Sequence, residues 1–274
     1  ELGNMGRYEE AIPLICKAIR MNPDYTQALY ELSFAYEMTG QHEKAVSFFT
    51  QYTDIRPYNQ AGWFNLGQAL SLAGNYEKAV EAFDYATLID EKFVGAYFSK
   101  GNALSALNKY DDAILAFRET FKFNDPDANA YYYIGECFEQ KGDTEQAIIH
   151  YNKAIRLNPQ MSEAWLGMGI MLDQQNRRSE AIHYVKKALE LESNNPEAWY
   201  VFGELEHKMG FFEEAEEAYR RVIELDPENP DIWLDYSRLL FEQDKSEFAI
   251  ETMAEAIKYH PKNADLSYRM TGYL

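Results

Sequence analysis

An alanine recurs every 34 residues along this 274-residue chain, and this spacing constrains the fold more than any other feature. The occurrences stay in phase, without insertion or deletion: Ala11, Ala45, Ala79, Ala113, Ala147, Ala181, Ala215 and Ala249. A fixed period of about 20–50 residues is typical of solenoids, in which each repeat packs only on its neighbours. The sequence therefore predicts a repeat array rather than a globule with one central core.

The other positions of the repeat predict two helices in each unit. When the alanine is numbered 20, large side chains fall at positions 4, 7 and 11, which is the spacing of one helix face. Position 15 holds Gly, Asn or Asp, which tolerate the left-handed backbone that follows a helix. Proline at position 32 ends a second helix in five units. We therefore expect helix A over positions 1–14, a tight turn, and helix B over positions 17–31.

One run of residues carries a family resemblance: Trp63, Leu66, Gly67, Gly74, Tyr76, Ala79, Phe83 and Ala86. At this spacing the chain resembles the tetratricopeptide repeat (TPR) family along its whole length. The resemblance implies an all-α fold, a right-handed α-solenoid (superhelix) of antiparallel helix-turn-helix units. It divides 1–274 into a single array: a partial repeat 1–25, full repeats 26–59, 60–93, 94–127, 128–161, 162–195, 196–229 and 230–263, and a partial repeat 264–274.

The two ends of the array fall inside repeats. Glu1 lies within a first helix A, and Leu274 ends at position 11 of a ninth unit, so we interpret the chain as a fragment of a longer array. Leu266, Met270 and Tyr273 then lack a helix B to cover them. Because exposed apolar patches favour contact with another chain, we expect end-to-end self-association.

Charge and composition exclude several classes of partner. A net charge of −19 argues against nucleic acid, because phosphate binding needs a basic stripe. The uncharged segment 57–76 is interrupted by amides, so no membrane insertion is expected. Cys16 and Cys137 lie about four repeats apart and cannot pair in a solenoid. Together with the absence of a glycosylation sequon, this favours a reducing, cytoplasmic location.

No catalytic or metal-binding pattern is present in the sequence. His42 and Glu43 begin like a zinc-protease motif, but Val46 stands where its second histidine would be. The acids from Asp125 to Glu136 imitate the spacing of a calcium loop, yet Ala130 replaces its turn glycine. We therefore predict no enzyme activity, no cofactor and no metal site.

The resemblance implies that the A helices line a concave groove for a partner. Position 5 reads Tyr30, Phe64, Phe98, Tyr132, Leu166, Tyr200, Leu234 and Tyr268. These side chains have two interpretations: support for the neighbouring helix, or exposed anchors for a peptide. The candidate groove residues are Tyr30, Phe64, Asn65, Gln68, Phe98, Asn102, Tyr132, Tyr133, Glu136, Tyr200 and Glu204. Its C-terminal half is expected to be acidic.

Two ligand-binding modes known in the family are disfavoured, because this chain lacks the residues that they need. The clamp for carboxylate tails needs lysine at position 5, which no unit has, and the asparagine ladder needs asparagine at position 6, which only Asn65 supplies.

Repeat 196–229 has a net charge of −7, with Glu213, Glu214, Glu216 and Glu217 in the first turns of its helix B. These acids fit a solvated helix start or the docking of a basic partner.

The sequence thus favours a protein-interaction scaffold that binds a peptide or a helical segment in the A-helix groove. Two alternatives remain open at this point: a structural array that self-associates, and a targeting domain of a larger enzyme whose catalytic part is absent.

Overall fold

The computed structural model describes residues 6–273 as sixteen α-helices, with no strand in that range. The helices are α1 (Tyr8–Met21), α2 (Thr26–Met38), α3 (His42–Ile55), α4 (Gln60–Leu72), α5 (Tyr76–Ile89), α6 (Val94–Ala106), α7 (Tyr110–Thr120), α8 (Ala128–Gln140), α9 (Thr144–Leu157), α10 (Ser162–Gln174), α11 (Arg178–Leu191), α12 (Pro196–Met209), α13 (Phe212–Leu225), α14 (Pro230–Glu242), α15 (Ser246–Tyr259) and α16 (Ala264–Tyr273). Even-numbered helices are A helices, and odd-numbered helices are B helices.

The helix bounds confirm the predicted all-α repeat. The A helices from α2 to α14 begin at position 1 and end at position 13 or 14, and the B helices begin at position 17 and end at position 30. The exception is α7, which ends three residues early at Thr120. Here the chain turns instead, as the amides of Phe123 and Asn124 donate to the Thr120 carbonyl. Pro126 stands one position later than the usual proline and disfavours helix at Asp125.

The turns between helices A and B also match the prediction. Positive φ angles occur at position 15 of every unit, at Gly6, Gly40, Gly74, Asn108, Gly142, Asn176, Gly210 and Asp244. Their φ values lie between 58° and 83°, which is the left-handed region. Only Gly, Asn and Asp enter this region readily, so the residue type at position 15 fixes the place of each turn.

The chain forms two compact units, residues 1–141 and 142–274, which we call unit 1 and unit 2. In unit 1 the core includes Leu29, Phe49 and Phe83, all fully buried. In unit 2 it includes Ile232 and Met253, equally buried. Each unit is a stack of helices packed on their neighbours in sequence, as expected for a solenoid.

Small residues at position 8 let helices A and B approach closely. A Cβ atom added at Gly67 would lie 2.5 Å from the Phe83 ring at position 24. The same distance separates a Cβ at Gly101 from the Phe117 ring. These rings therefore occupy the space that a side chain at position 8 would take.

Tryptophan at position 4 joins consecutive repeats. Each indole Nε1–H donates to the backbone carbonyl at position 32 of the preceding repeat: Trp63 to Pro57 (2.9 Å), Trp165 to Pro159 (3.0 Å), Trp199 to Ser193 (2.8 Å) and Trp233 to Pro227 (3.0 Å). Trp233 is buried and the other three are half-buried. The structure thus places these tryptophans at the junctions of the repeats.

The end of the chain differs from expectation. Leu266 is fully buried and packs with the unit 2 core, so the prediction that it forms an uncovered apolar face is wrong. Position 7 of α16 is partly covered too, since Met270 packs on the same core. Residues 1–5, Leu274 and the side chain of Tyr273 lie outside the described part, and so do the expectations that rest on them.

Among the described helices, none combines the length and apolarity needed to cross a membrane.

Candidate binding surfaces

The aromatic residues at position 5 in unit 1 pack on other rings, both within a repeat and between repeats. The Tyr30 and Phe64 ring centroids are 6.1 Å apart, and Phe64 also lies 4.9 Å from the Phe93 ring. Phe98 contacts the Phe117 ring at 5.4 Å. All three position-5 side chains are half-buried. For these three side chains the contacts favour support of the neighbouring helix over the interpretation as exposed anchors, whereas Tyr268, at the same repeat position in α16, is 81% exposed.

The predicted amide groups of unit 1 separate into two kinds. Asn65 is 1% exposed, and its Nδ2 donates to the Ala61 carbonyl at 2.7 Å. It therefore serves its own helix, and its assignment to the groove surface is wrong. Gln68 is half-buried and Asn102 is exposed, so both stay available at position 9 of α4 and α6. Burial also raises the pKa of Tyr30, which keeps its phenol neutral.

The predicted groups on α8 form a cluster of their own. The Tyr132 hydroxyl donates to Glu136 Oε1 at 2.8 Å. The Tyr133 ring lies 5.3 Å from Tyr132 and 5.4 Å from Phe98. All three α8 side chains are half-buried. The structure thus brings these predicted residues together, but largely by contacts within unit 1.

Three exposed apolar side chains on the A helices of unit 1 were missed by the sequence analysis. Phe34, Met38 and Leu72 are 50%, 54% and 44% exposed, and we call them the N-terminal apolar patch. Phe34 and Met38 stand four residues apart on α2, hence on one face, and Leu72 occupies on α4 the position that Met38 occupies on α2. The signal was available, because positions 9 and 13 are polar in most other repeats.

On the A helices of unit 2, the predicted residue Tyr200 is bound to a carboxylate. Its hydroxyl donates to Asp235 Oδ2 at 2.7 Å. Burial, followed by this hydrogen bond, raises the pKa of Tyr200. Asp235 is bound a second time by the Arg238 guanidinium. Neither group is therefore free for a ligand without breaking an existing contact.

The acidic character predicted for this surface is partly neutralised. Lys208 Nζ lies 3.0 Å from Asp173 and 3.7 Å from Glu204, which is a predicted groove residue. Asp173 is also bound by Arg178 at 3.2 Å. The expectation of an acidic groove considered only the carboxylates. It did not include Lys208 and Arg178, which lie at other repeat positions and pair with these carboxylates.

The acids at the start of α13 are not all solvated. Glu213, Glu214 and Glu217 are exposed, as a solvated helix start requires, whereas Glu216 is 9% exposed. The Glu216 carboxylate is bound by Arg220 and, at 2.7 Å, by Lys245. The interpretation of Glu216 as a solvated side chain is therefore wrong.

Neither a metal site nor a cysteine with a lowered pKa occurs among residues 6–273. Within residues 6–273, no three His, Cys, Asp or Glu side chains are placed to hold a metal ion. Cys16 and Cys137 are both free thiols. Burial raises the pKa of each, and the Ser105 hydroxyl lies 3.3 Å from Cys137 Sγ. A protonated, buried thiol is a poor nucleophile.

Family comparison agrees with the repeat geometry. Models described as tetratricopeptide repeat match residues 5–57, 60–93, 98–162, 139–205 and 206–271. One of these models alone matches more than half of the chain. A search of curated proteins finds no match.

Solved structures share the fold at low sequence identity. A chain of the APC/C hetero-tetramer Cut9–Hcn1 is 16% identical, with a TM-score of 0.69 over 97% of this chain and 52% of that one. PilF from Pseudomonas aeruginosa is 18% identical, with a TM-score of 0.66 over 78% of this chain and 97% of that one. YrrB, described as a TPR protein with an unusual peptide-binding site, is 21% identical, with a TM-score of 0.52 over 65% and 92%. This chain thus spans about half the length of the first of these relatives.

Proposed function

Because this chain belongs to the tetratricopeptide repeat family, whose members are generally protein–protein interaction scaffolds, we propose that it binds a peptide or helical segment of a partner protein on the A-helix surface of unit 1. The site consists of the outward positions of α2, α4 and α6. Its centre is the N-terminal apolar patch, and its polar edge is formed by Gln68 and Asn102.

The observation that carries this proposal is the exposure of the N-terminal apolar patch. Each of the three side chains presents about half of its surface to solvent, on two A helices that pack side by side. The Phe34 and Tyr8 rings pack in a T-shaped arrangement, with 5.6 Å between their centroids, which holds the Phe34 ring in place. Large, ordered apolar side chains contribute most of the energy at protein interfaces, since little entropy is lost when a partner covers them.

The polar residues beside the patch suit a peptide ligand, whose backbone N–H and C=O groups need hydrogen-bond partners. Gln68 and Asn102 lie at position 9 of α4 and α6, and each amide offers both donors and an acceptor. A segment with two or three apolar anchors would place them on the patch and its main chain near these amides. An apolar centre with a polar edge is the usual anatomy of a protein interface.

The solved relatives support the class of function and leave the partner open. YrrB is described as having a peptide-binding site, and Cut9 stands in a hetero-tetramer with Hcn1. Self-association has less support here than peptide binding, because Leu266 is buried rather than available to another copy.

The test begins with peptides of about 15 residues selected from a random library on the whole chain, with affinities measured by fluorescence anisotropy. We expect selected peptides to contain two or more large apolar residues. Replacing Phe34→Ser together with Leu72→Ser should weaken their binding about tenfold or more, as expected for loss of interface anchors.

The matched control is Ile55→Ser with Leu88→Ser, which removes two apolar side chains of 75% and 80% exposure from the B helices α3 and α5. Binding should change by less than about twofold in this control. Equal losses in the two variants, or unchanged binding in the first, would refute the assignment to the A-helix surface.

A further inference from the structure

A furrow lies between the B helices of the last two full repeats in unit 2. The helices are α13 and α15, and the furrow between them has a volume of about 600 Å³. Its floor is apolar and comes from α14, through Trp233 and Leu240, which are each 2% exposed. This surface belongs to the B helices of unit 2, so it is separate from the A-helix surface proposed above.

One wall of the furrow carries an exposed aromatic side chain. Phe248 lines the furrow from α15 and is 60% exposed. Ile223 of α13 lines the same furrow and is half-buried. Together with the floor, these side chains form an apolar slot wide enough for an additional side chain. An exposed Phe beside such a slot gains free energy when a partner covers it.

The charge around the slot is negative and only partly compensated. Both lining cations, Arg220 and Lys245, bind the buried Glu216, and Arg220 Nε also donates to the Tyr236 hydroxyl at 2.8 Å. These contacts leave Glu251 and Glu255, the exposed α15 carboxylates that line the furrow, without an ion pair among the described residues. They stand four residues apart, on the same face of the helix.

We propose that this furrow docks an amphipathic helix of a partner protein, with apolar side chains in the slot and Lys or Arg beside Glu251 and Glu255. The walls are helices of 14 residues, about 21 Å long, which matches a docked helix of similar length. The partner is basic because the rim carboxylates lack cations and the outer face of α13 adds Glu213, Glu214 and Glu217. A second copy of this chain is a poor occupant, since its net charge is −19.

The probe is a fluorescein-labelled peptide of about 14 residues, with leucine at the i, i+3 and i+4 spacing and lysine at the other positions. Binding to the whole chain is measured by anisotropy at about 0.05 M and 0.5 M NaCl. Replacing Phe248→Ser should weaken binding about tenfold, and replacing Glu251→Gln with Glu255→Gln should weaken it about fivefold at low salt only. Peptides with serine in place of leucine, or glutamate in place of lysine, should bind at least tenfold more weakly.

Two controls separate the furrow from general attraction to an acidic protein. Leu115→Ser removes a side chain of similar exposure, 59%, from a B helix of unit 1. Glu43→Gln with Glu77→Gln removes the same charge from exposed positions of unit 1. Both controls should change binding by less than about twofold, and the Phe34→Ser, Leu72→Ser variant should bind the probe normally.

Three results would overturn the proposal. The first is an equal loss in the control variants, which would mean non-specific attraction. The second is unchanged binding in both furrow variants, provided that circular dichroism shows them folded. The third is a dimer in sedimentation that Phe248→Ser dissociates, which would make a second copy the occupant.

Discussion

At the residue scale, the close approach of helices A and B depends on glycine at position 8, which has no side chain. Gly67 faces the Phe83 ring, and three ring atoms would lie 2.5–2.8 Å from an added Cβ. Phe83 is fully buried, so its ring has no solvent-filled space into which it can move. Position 8 therefore tolerates little volume, although it lies in a helix where glycine is intrinsically unfavourable.

We predict that Gly67→Ala destabilises the chain by about 1–3 kcal/mol, the usual effect of overpacking a core. The measurement is urea-induced unfolding followed by circular dichroism. The control is Gly95→Ala in α6, where the nearest side-chain atom would be at an ordinary 3.6 Å. Gly95→Ala should stabilise by about 0.5–1 kcal/mol. Stabilisation by both changes would contradict the close contact with Phe83.

Residue types predict some local features better than others. At Asn108 and Asp244 the sequence predicts the turn, because few residue types adopt a positive φ. At Asn65 it fails, because an amide is equally suited to a surface and to a hydrogen bond within its own helix. Its burial, at 1% exposure, comes from tertiary packing, which no property of asparagine reveals.

At the element scale, the junction between one helix B and the next helix A has a recurring bond. The Trp165 indole donates to the Pro159 carbonyl at 3.0 Å, and its ring lies 5.4 Å from Tyr184. The bond ties the end of α9 to the start of α10. Such a junction fixes how two consecutive helices meet, beyond what apolar packing alone specifies.

We predict that Trp165→Phe destabilises unit 2 by about 1 kcal/mol, which is the typical net value of one hydrogen bond with some lost packing. Tyr97→Phe is the control, because Tyr97 occupies the same repeat position on α6 and has no hydrogen bond through its hydroxyl in the described residues. Its effect should stay within about 0.5 kcal/mol. Thermal unfolding of both variants gives the comparison, and equal effects would exclude a specific contribution of the indole bond.

Helix bounds were predictable to within about a residue because proline, glycine and the 34-residue period all mark them. The exception is informative. α7 has the usual apolar positions, yet it ends at Thr120, where a turn precedes the displaced Pro126. The packing at position 5 was not predictable from periodicity. A side chain at this position of the helix can point either to solvent or to the adjacent repeat, and the spacing of residues is the same in both cases.

At the scale of the whole molecule, the dominant property is a net charge of −19. The cations in ion pairs such as Lys208 with Asp173 are already counted in this value, and most of these pairs are exposed and contribute little to stability. Self-repulsion of the remaining carboxylates opposes the compact state. The uniform period gives no sign of the two compact units, since every repeat has the same pattern in the sequence.

We predict that raising NaCl from about 0.02 M to 0.3 M increases the melting temperature by a few degrees, because the Debye length falls well below the spacing of the unpaired acids. Differential scanning calorimetry measures this change, and choline chloride in place of NaCl checks that the effect is one of ionic strength. A lower melting temperature in salt would mean that the local ion pairs outweigh the net repulsion.

The tryptophan junction has a consequence for how such a protein changes length. Donor and acceptor lie at fixed places in the period, so a duplicated copy of residues 196–229 would bring its own indole at Trp199 and its own carbonyl at Pro227. Trp199 of the second copy would donate to the Pro227 carbonyl of the first copy. Trp233 would then donate to the Pro227 carbonyl of the second copy. Whole repeats can therefore be gained or lost by recombination without any new contact having to evolve at the point of insertion.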